Sequence, residues 1–265
     1  MTNASRITHH ASRTQLAAIV LAKNEEHHIG PCLDSLAWAD RRVVFDSFSA
    51  DRTCDVARER GAEVIQHAFE NFATQRNEAM AAMDTDWIFF VDADERATPE
   101  LAEEIRCVVE GRQLPTRTPD DVVGWWVPRQ NYLFGKLTRG AGYWPDYQMR
   151  LLRRGRARYE RPASEIVVLD GKESHLHNPL IHYNYETLAQ FHAKQRIREP
   201  FEAQNLFERG VRPKRRALIT QPLRHFWWRF ITLKGYRDGL HGLRLSILLS
   251  YYFGYRYYKR LAEMR

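Results

Sequence analysis

The stretch that decides the fold is Trp87-Ile88-Phe89-Phe90-Val91-Asp92-Ala93-Asp94-Glu95, in which five large apolar residues run directly into three carboxylates. The apolar part predicts a strand that is buried on both faces, as strands are inside a parallel sheet. Side chains two residues apart on an extended chain point to the same side, so Asp92 and Asp94 can converge at the carboxyl end of this strand, where open α/β sheets bind ligands. A divalent cation would relieve the repulsion between them. The alternative is a strand that ends in an acidic surface turn.

Length and composition indicate the domain organisation and the broad class of the protein that carries this motif. The chain has 265 residues, of which 44% are apolar and 28% are charged, so it can bury a core as one large domain, or as one domain with an appendage. Its 3 cysteines show no metal-site spacing, and their odd number argues against a disulfide framework. Free cysteines suit a reducing cytoplasm. The polar residues 1–14 lack the apolar core of a signal peptide, and we expect them to be disordered. No stretch approaches the roughly 20 apolar residues that cross a bilayer.

The formal charge of +7 is unevenly distributed. Acidic residues are frequent in the first half, whereas the region after Arg150 combines Arg and Lys with Trp, Tyr and Phe. This asymmetry predicts an anionic partner, either a membrane surface or a nucleic acid. The segments 225–234 and 243–260 mix aromatic, aliphatic and basic residues in proportions that suit a bilayer interface. No recognised nucleic-acid motif is present, so we expect no nucleic acid partner. The alternative is that these helices pack on the domain or on another subunit.

Predicted strands and helices alternate up to about residue 110. Strands are predicted at 16–22, 42–46, 63–66 and 86–91, and helices at 25–38, from Ser49 or Asp51 to Gly61, at 74–83 and at 98–110. This alternation indicates βαβ units and a parallel sheet. No Gly-x-Gly-x-x-Gly follows the first strand, so a dinucleotide-type phosphate loop is not indicated.

The pattern changes after a loop that is predicted over 111–121. Shorter strands are predicted at 122–127, 148–152 and 166–169, the last followed by an Asp170-Gly171 turn. They indicate a mixed or antiparallel extension rather than further βαβ units. From Glu186 onwards the chain is predicted to be helical.

Four motifs, in this order and spacing, carry a resemblance to a known family. They are Leu21-Ala22-Lys23-Asn24-Glu25-Glu26, Phe45-Asp46-Ser47-Phe48-Ser49-Ala50-Asp51-Arg52-Thr53, Gln75-Arg76-Asn77 and Val91-Asp92-Ala93-Asp94-Glu95. Together they resemble the nucleotide-sugar domain of the GT-A glycosyltransferases of family 2, most of all the lipopolysaccharide-core β-glucosyltransferase-like branch. The resemblance covers Leu16 to about Glu110 well and continues more loosely to the C-terminus. One departure is Phe48, since the family usually has Gly at this position; another is Phe45, where an aliphatic residue is usual.

The resemblance implies an α/β fold of the GT-A type, with a Rossmann-like nucleotide-binding sheet, a mixed acceptor-side extension and C-terminal amphipathic helices. Residues 15–185 would form the catalytic domain, with the nucleotide-sugar half at 15–110 and the acceptor half at 122–185. Residues 186–265 would form a helical membrane-interface region.

The resemblance also implies nucleotide-binding residues at strand ends and at one helix start, namely Ala22, Glu25, Asp46, Arg76 and Asp92. Asp46 and Glu25 are acceptors suited to a uracil N–H or a ribose hydroxyl, and the planar fork of Arg76 suits phosphate. The alternatives are that Asp46 and Glu25 are solvent-facing acids, with Glu25 only favouring a helix N-terminus through the helix dipole, and that Arg76 pairs with Asp46 or Asp92.

The implied cofactor is a divalent cation, Mg²⁺ or Mn²⁺, held by Asp94, with Asp92 beside it on ribose or metal. His182 lies where some relatives complete the metal shell. The cation would bridge the donor diphosphate and neutralise the charge that develops on the leaving group. For His182, a core or surface histidine is the alternative.

The acceptor side is expected to supply the catalytic base. Glu165 occupies the place where family members carry a His-Glu pair, and its carboxylate can take the proton of the acceptor hydroxyl as that oxygen attacks the anomeric carbon, which gives inversion. Asp146 is the second candidate. Trp144 offers a face on which a sugar ring can stack, and Arg150 could hold a phosphate or an anionic acceptor; a core aromatic and a solvated strand edge are the alternatives.

These features predict an inverting, metal-dependent hexosyltransferase that uses a nucleotide-diphosphate sugar, expected to be UDP-linked. The expected acceptor is a hydroxyl of a lipid-linked glycan such as lipopolysaccharide core, and the expected location is the cytoplasmic face of the inner membrane. One alternative is a polyprenyl-phosphate glycosyltransferase, which would not need Glu165 as a base. Another is a basic module that binds membrane or nucleic acid without catalysis.

Overall fold

The computed structural model describes residues 14–112, 121–160 and 166–264. The chain divides into two compact units. The first unit holds residues up to 93 together with 97–126 and 149–178, and the second holds 94–96, 127–148 and the residues from 179 onwards.

The first part of the chain has the predicted alternation of strands and helices. Its elements are β1 (Leu16–Ala22), α1 (Glu26–Ser35), β2 (Arg41–Asp46), α2 (Thr53–Glu59), β3 (Glu63–Gln66), α3 (Phe72–Ala81), β4 (Trp87–Asp92), β5 (Glu95–Ala97) and α4 (Pro99–Val109). Strands β3, β2, β1 and β4 lie side by side in that order and are all parallel. The predicted parallel sheet is therefore confirmed.

The buried strands explain why this sheet forms. Leu16–Val20 in β1 and Ile88–Val91 in β4 are fully buried. Apolar side chains on both faces of these strands can only be covered by helices on both sides, which is the arrangement of a parallel sheet. Each fully buried Ile, Val or Phe contributes about 1.5–3 kcal/mol relative to exposure.

Two helices begin at side-chain caps that can be read from the sequence. Thr98 accepts a hydrogen bond from the backbone N–H of Leu101, as the Thr-Pro-Glu motif predicts. Helix α3 begins at Phe72, two residues before the predicted start, because the Asn71 side chain accepts from the backbone N–H of Thr74.

The turn after β2 explains the Gly that the resembled family carries at position 48. Phe48 has a φ of 57°, a left-handed conformation that costs an L residue about 1–2 kcal/mol. The Lys23 ammonium donates hydrogen bonds to the carbonyls of Ser47 and Phe48, at 2.6 and 2.9 Å, and so stabilises the turn. The turn shape is kept although the residue is not Gly.

Seven further strands follow along the chain. They are β6 (Val122–Leu133), β7 (Lys136–Leu137), β8 (Asp146–Arg153), β9 (Ala157–Glu160), β10 (Ile166–Leu169), β11 (Lys172–His175) and β12 (Leu180–Tyr185). In the first unit, β8 pairs antiparallel with β4, β9 pairs antiparallel with β10, and β11 pairs parallel with β6. The predicted mixed extension is therefore confirmed.

Several boundaries differ from the predicted ones. Strand β6 runs to Leu133 rather than to residue 127, and the strands β5, β7, β9, β11 and β12 were not predicted. These are short elements of 2 to 6 residues without a clear apolar period, and tertiary pairing decides them. The predicted loop at 111–121 and the predicted disordered residues 1–14 fall almost entirely outside the described residues.

The second unit combines a small sheet with the C-terminal helices. Strand β12 pairs parallel with β6, with His182 opposite Asn131, and β7 pairs antiparallel with β6. The helices are α5 (Leu188–Glu208), α6 (Ala217–Trp227), α7 (Gly239–Leu249) and α8 (Tyr257–Glu263), with π-helical segments at Trp228–Thr232 and Ser250–Arg256 and a 3₁₀ turn at Gly235–Asp238.

An aromatic core holds these helices. Phe191 of α5 makes edge-to-face contacts with Tyr185 and Tyr252, at ring-centroid distances of 5.0 and 5.7 Å. Helix α5 begins with a capping box between Thr187 and Gln190, close to the predicted helical start at Glu186. Within the ranges that the structure describes, no helix is long and apolar enough to span a membrane.

Candidate functional site

The acidic segment at the end of β4 contains two aspartates, one in each unit. Asp92 is the last residue of β4 and belongs to the first unit, whereas Asp94 belongs to the second. The two side chains pair with different groups. We call the groups around them the Asp92 cluster (Arg76, Asp92 and Arg150) and the Asp94 network (Asp94, Asn131, Asp146 and His182).

In the Asp92 cluster, two guanidinium groups meet one carboxylate. Arg150 Nη1 lies 3.2 Å from Asp92 Oδ1, its Nη2 bonds Asp92 Oδ2, and Arg76 Nη2 lies 3.5 Å from Oδ1. The Arg150 side chain is only 3% exposed and that of Asp92 is 34% exposed. A buried bidentate Arg–carboxylate pair is a strong, charge-assisted contact.

Arg76 is held at this site by aromatic rings. Its guanidinium carbon lies 5.1 Å from the ring centre of Phe90 and 5.4 Å from that of Tyr159, within cation–π range. Asn77, the next residue of α3, exchanges two hydrogen bonds of 2.9 Å with the backbone of Tyr159. The alternative in which Arg76 pairs with Asp92 is thus what the structure contains.

This arrangement bears on two expected roles. Arg150 was expected to serve the acceptor, but its fork lies buried against Asp92. Asp92 was expected on ribose or metal. Because two cationic groups already neutralise it, the geometry favours a nucleotide role for Asp92 over a metal role.

Asp46 is fully buried and stabilises the turn that follows β2. Its carboxylate accepts hydrogen bonds from the Ser49 backbone N–H at 2.9 Å, from the Ser49 hydroxyl, and from Gln66 Nε2 at 3.2 Å. Burial opposes ionisation, but the hydrogen bonds from Ser49, Gln66 and Cys54 outweigh it, so the pKa of Asp46 lies below its usual value. The carboxylate is therefore ionised at neutral pH.

The other expected nucleotide residues lie beside this turn. The carbonyl of Ala22, at the end of β1, accepts from the backbone N–H of Ser47 at 2.9 Å. Glu25 is half-buried just before α1, and its carbonyl accepts the first backbone hydrogen bonds of that helix, from His28 and Ile29. The expected residues Ala22, Glu25 and Asp46 are thus brought together in the first unit.

The Asp94 network begins with an imidazole and a carboxylate. His182 Nε2 lies 3.5 Å from Asp94 Oδ2, and His182 is 6% exposed. On its other side, His182 Nδ1 lies 2.6 Å from Asn131 Oδ1. Lys194 Nζ lies 3.9 Å from Asp94 Oδ2 on a half-exposed side chain.

Asn131 fixes which nitrogen of His182 carries the proton. The Asn131 amide nitrogen donates to the Tyr143 carbonyl at 3.1 Å and to Asp146 Oδ2 at 3.0 Å. Both partners are acceptors, so the amide oxygen must be the atom that faces His182. This oxygen can only accept, and Nδ1 is therefore the protonated nitrogen.

The consequence is a pair of acceptors that face each other. In the neutral imidazole, Nε2 keeps its lone pair, and it points at a carboxylate oxygen 3.5 Å away. Two such groups repel unless a proton or a metal ion lies between them. Metal-binding histidines usually donate their other N–H to a protein acceptor, as His182 does to Asn131.

The donor set therefore fits a divalent cation. Asp94 and His182 offer one oxygen and one nitrogen ligand, and substrate phosphates or water must supply the rest. In the part of the chain that the structure describes, no group of three or more His, Cys, Asp or Glu side chains has metal-binding geometry.

The carboxylate of Asp146, which we expected on the acceptor side, accepts hydrogen bonds from three side chains. It accepts from Arg129 Nε and Nη2 at 3.0 and 2.7 Å, from Asn131 at 3.0 Å and from Gln148 at 3.0 Å. Burial opposes its ionisation, but the Arg129 charge and these hydrogen bonds outweigh it, so the pKa of Asp146 lies below its usual value. A carboxylate so stabilised is a weak base, which favours a positioning role.

Three residues of this region were not anticipated. Asn131 is buried and links His182 to Asp146, and Arg129 bridges Asp146 and the fully buried Glu95, whose Oε1 is 3.2 Å from Arg129 Nη1. The available signal was Arg129 and Asn131 at spacing i, i+2 in strand β6, which places both on one face.

The remaining expected residues differ in what the structure says of them. Trp144 is 41% exposed, as a sugar-stacking residue would be. Glu165, the expected base, lies outside the described residues.

Comparison with known proteins identifies the class of this domain. Residues 17–111 match the family model described as "Glycosyl transferase family 2". This segment is a glycosyltransferase family 2 domain, so the predicted enzyme class is confirmed. Together with the mixed α/β architecture and the C-terminal helices, the match confirms the predicted GT-A fold class.

Longer similarities extend beyond this segment. The chain is 28% identical over 240 residues to "Lipopolysaccharide core biosynthesis glycosyltransferase LpsC" of Rhizobium meliloti, covering 86% of this chain and 84% of the relative. It is 23% identical to an "Uncharacterized glycosyltransferase" of Rickettsia bellii, covering 95% and 86%. Among solved structures, glucosyl-3-phosphoglycerate synthase from Mycobacterium tuberculosis, in complex with Mn²⁺, uridine-diphosphate and glucosyl-3-phosphoglycerate, is 18% identical with a TM-score of 0.45, covering 77% and 82%. At this TM-score the structural likeness is weak.

The lowered pKa of Asp146 gives a testable pH dependence. At pH 7, Asp146→Asn is expected to lower the free energy of unfolding by about 1–3 kcal/mol, because charged hydrogen bonds to Arg129 are lost. A folded-state pKa below the unfolded value means that this stabilisation is complete above about pH 4 and is lost as the pH falls through the folded pKa. Urea unfolding at pH 7 and at pH 3 measures the difference.

The matched control is Asp55→Asn, which removes an exposed carboxylate paired with Arg58 at 3.4 Å. An exposed pair is expected to contribute less than about 1 kcal/mol. An Asp146→Asn effect that is as small as the control, or that is undiminished at pH 3, would contradict the stabilised carboxylate.

Proposed function

We propose that this protein is an inverting, metal-dependent hexosyltransferase that moves a hexose from a UDP-linked donor to a hydroxyl of a lipid-linked glycan, such as lipopolysaccharide core. The observation that carries the proposal is the oxygen and nitrogen pair of Asp94 Oδ2 and His182 Nε2, 3.5 Å apart at the acidic end of β4 in a family 2 domain. The similarity to the lipopolysaccharide core enzyme of Rhizobium meliloti supports the acceptor class.

Asp94 and His182 are the residues that would hold the cation, Mg²⁺ or Mn²⁺. When bound there, the ion supplies positive charge to the diphosphate as the sugar–phosphate bond breaks. Asn131 keeps the His182 lone pair aimed at the site through the 2.6 Å hydrogen bond to Nδ1. Asp146 and Arg129 in turn fix Asn131, and both act as positioning residues.

The first unit would bind the nucleotide. Asp46 would support nucleotide binding indirectly, because its carboxylate stabilises the turn that follows β2. Ala22 and Glu25 lie beside that turn. In the Asp92 cluster, Asp92 is oriented by the buried Arg150 and would bind a ribose hydroxyl, and Arg76 would bind phosphate through its guanidinium.

The chemical step needs a base on the acceptor side, and Glu165 is our candidate. Its carboxylate takes the proton of the acceptor hydroxyl while that oxygen attacks the anomeric carbon, and the bond to the nucleotide diphosphate breaks on the opposite side. The product has inverted configuration. Trp144 would stack on the acceptor sugar.

The C-terminal helices supply a surface that suits a membrane. Ile219, Leu223, Trp227 and Ile231 recur every four residues along α6 and the π-helical segment that follows it, and their exposed fractions are 70, 66, 63 and 39%. We call these four residues the α6 stripe. Exposed arginines, among them Arg216 and Arg224, lie on the same helix or at its start. An apolar stripe with aromatic and basic residues is typical of helices that lie in a bilayer interface.

We therefore propose residues 15–185 as the catalytic domain and 186–265 as a membrane-interface region. The enzyme would work on the cytoplasmic face of the inner membrane, bound peripherally to anionic lipid, where a lipid-linked acceptor is presented.

Metal-dependent hydrolysis of nucleotide sugars tests the central part of this proposal. Across a panel of UDP-hexoses with Mn²⁺ or Mg²⁺, the wild type is expected to hydrolyse at least one donor slowly. Asp94→Ala and His182→Ala are expected to lower the rate by at least about 100-fold, because the charge on the leaving group is no longer neutralised. Asp55→Ala, which removes an exposed carboxylate of the first unit, serves as the control. Hydrolysis that survives both a chelator and Asp94→Ala would refute the metal site.

Glu165→Gln separates the hydroxyl acceptor from the polyprenyl-phosphate alternative. With core-truncated lipopolysaccharide as acceptor, transfer is expected to fall by about 10²- to 10⁴-fold while donor hydrolysis is unchanged. A phosphate acceptor is already ionised and needs no base, so transfer to polyprenyl phosphate by the variant at the wild-type rate would favour the alternative. Glu173→Gln, an exposed acid on β11, is the control.

Vesicle co-sedimentation tests the membrane surface. The wild type is expected to bind vesicles that contain phosphatidylglycerol, and Leu223→Asp combined with Trp227→Asp is expected to weaken binding by at least about 10-fold, since each apolar side chain contributes about 1.5–3 kcal/mol when buried. The matched control is Ile197→Asp combined with Phe201→Asp, which removes residues of 66% and 61% exposure from α5. Equal losses in the two double variants would exclude the α6 stripe as the specific membrane surface.

A further inference from the structure

The second unit contains a cavity beside Trp144, the residue proposed to stack on the acceptor sugar. Its volume is about 820 Å³, and its lining includes Gln130, Arg139, Trp144, Lys234, Arg237 and Asp238. Trp144 lies two residues before Asp146 of the Asp94 network, and Gln130 lies between Arg129 and Asn131 on β6. The cavity is therefore lined in part by the segments that carry the Asp94 network.

Two loops form the wall of this cavity and are joined by their backbones. Ala141 N–H donates to the Leu233 carbonyl at 2.9 Å. A Cβ on Gly140 would lie 2.5 Å from the Lys234 carbonyl oxygen, which is closer than any side chain tolerates. Lys234 itself has a φ of 55°, a left-handed conformation. The cationic side chains thus project from a backbone that is fixed by close packing.

The cationic side chains of the wall have no carboxylate partner among the residues that the structure describes. Arg139, Lys234 and Arg237 are exposed, and no ion pair within 4.0 Å joins them to any acid of the described ranges. Asp238 is the acid nearest in the lining, but its carboxylate accepts from the backbone N–H groups of Arg139, at 3.2 and 3.1 Å, and of Gly140, at 2.7 Å.

The neighbourhood adds positive charge rather than compensating for it. Thr138, another lining residue, has its hydroxyl 2.9 Å from His241 Nε2. Burial lowers the pKa of His241, Asp238 opposes this, and the charges of Lys136 and Arg244 lower it further. Three cations, Arg139, Lys234 and Arg237, face one acid, Asp238, in the lining, so the wall carries a net positive charge that suits an anion.

We propose that this cavity binds an anionic substituent, a phosphate or a carboxylate, on the acceptor glycan, with Arg139 and Arg237 as the binding residues. The inference rests on the proposed transferase function and specifies its substrate class. Guanidinium forks bind phosphate and carboxylate with two parallel hydrogen bonds, and Trp144 provides a half-exposed ring against which the sugar that bears the anion can stack. A cavity of this volume accommodates a sugar ring, whereas a flat basic surface would suffice for lipid headgroups.

Equilibrium binding to the full chain tests the inference without turnover. Calorimetry with glucose 6-phosphate at low ionic strength is expected to show binding, and unsubstituted glucose is expected to bind at least 10-fold more weakly. Arg139→Gln combined with Arg237→Gln is expected to weaken glucose 6-phosphate by at least about 10-fold, since hydrogen bonds between charged groups are among the strongest in proteins. The matched control is Arg209→Gln combined with Lys259→Gln, two exposed cations of the same unit that do not line the cavity.

Two further measurements identify the molecule that supplies the anion. Inorganic phosphate is expected to compete with glucose 6-phosphate, and the double variant is expected to bind phosphatidylglycerol vesicles as the wild type does. If the double variant instead no longer binds the vesicles but still binds glucose 6-phosphate, the cavity binds lipid headgroups and the inference is wrong. It is also wrong if glucose binds as tightly as glucose 6-phosphate, or if the control variant loses as much affinity. Donor hydrolysis by the double variant should equal that of the wild type, so a failure here is distinguishable from a failure of the proposed function.

Discussion

The placement of His182 Nε2 beside Asp94 Oδ2 is the constraint on which the proposed chemistry of this protein depends. The two atoms lie 3.5 Å apart, and the hydrogen bond from Nδ1 to Asn131 Oδ1 keeps Nε2 directed at the carboxylate. The arrangement persists only because buried neighbours hold it. Asn131 fixes the imidazole, Asp146 and Tyr143 fix Asn131, and Arg129 neutralises Asp146. A donor pair whose geometry is held by its neighbours in this way is preorganised for a cation.

Asp92, the other carboxylate of the Asp-x-Asp motif, has different electrostatic surroundings. Asp92 is paired with two guanidinium groups, one of them almost fully buried. Removing one partner of such a pair would leave a buried charge uncompensated, so the pair is a constraint on the site as much as a source of stability. Residues two apart in the sequence thus have different partners, since Asp92 pairs with two arginines and Asp94 lies near His182 and Lys194.

Much of the fold could be predicted from the sequence because long apolar runs determine it. The strand 16–22 was predicted to its exact bounds, since seven consecutive apolar residues leave no other way to be buried. The short strands of the second half could not be predicted, because their two to six residues carry no apolar period of their own. The start of α3 was misplaced because the cap is the Asn71 side chain, which precedes an exposed Phe72.

The candidate site was predictable in its residue types and less so in its pairings. Asp92, Asp94 and His182 could be named from motifs, but the bond between Arg150 and Asp92 depends on the antiparallel pairing of β8 with β4, which no local pattern encodes. Asn131 was missed for a related reason. A polar residue in a strand suggests a solvent-facing position, and only the packing of β12 against β6 turns it into the buried partner of His182.

The most direct test is to locate Mn²⁺ by anomalous scattering in crystals grown with Mn²⁺ and UDP. We expect one peak about 2 Å from both Asp94 Oδ2 and His182 Nε2, with the diphosphate completing the coordination. A peak that contacts Asp92 and not His182, or UDP bound with no ion and with His182 bonded directly to Asp94, would contradict the metal site.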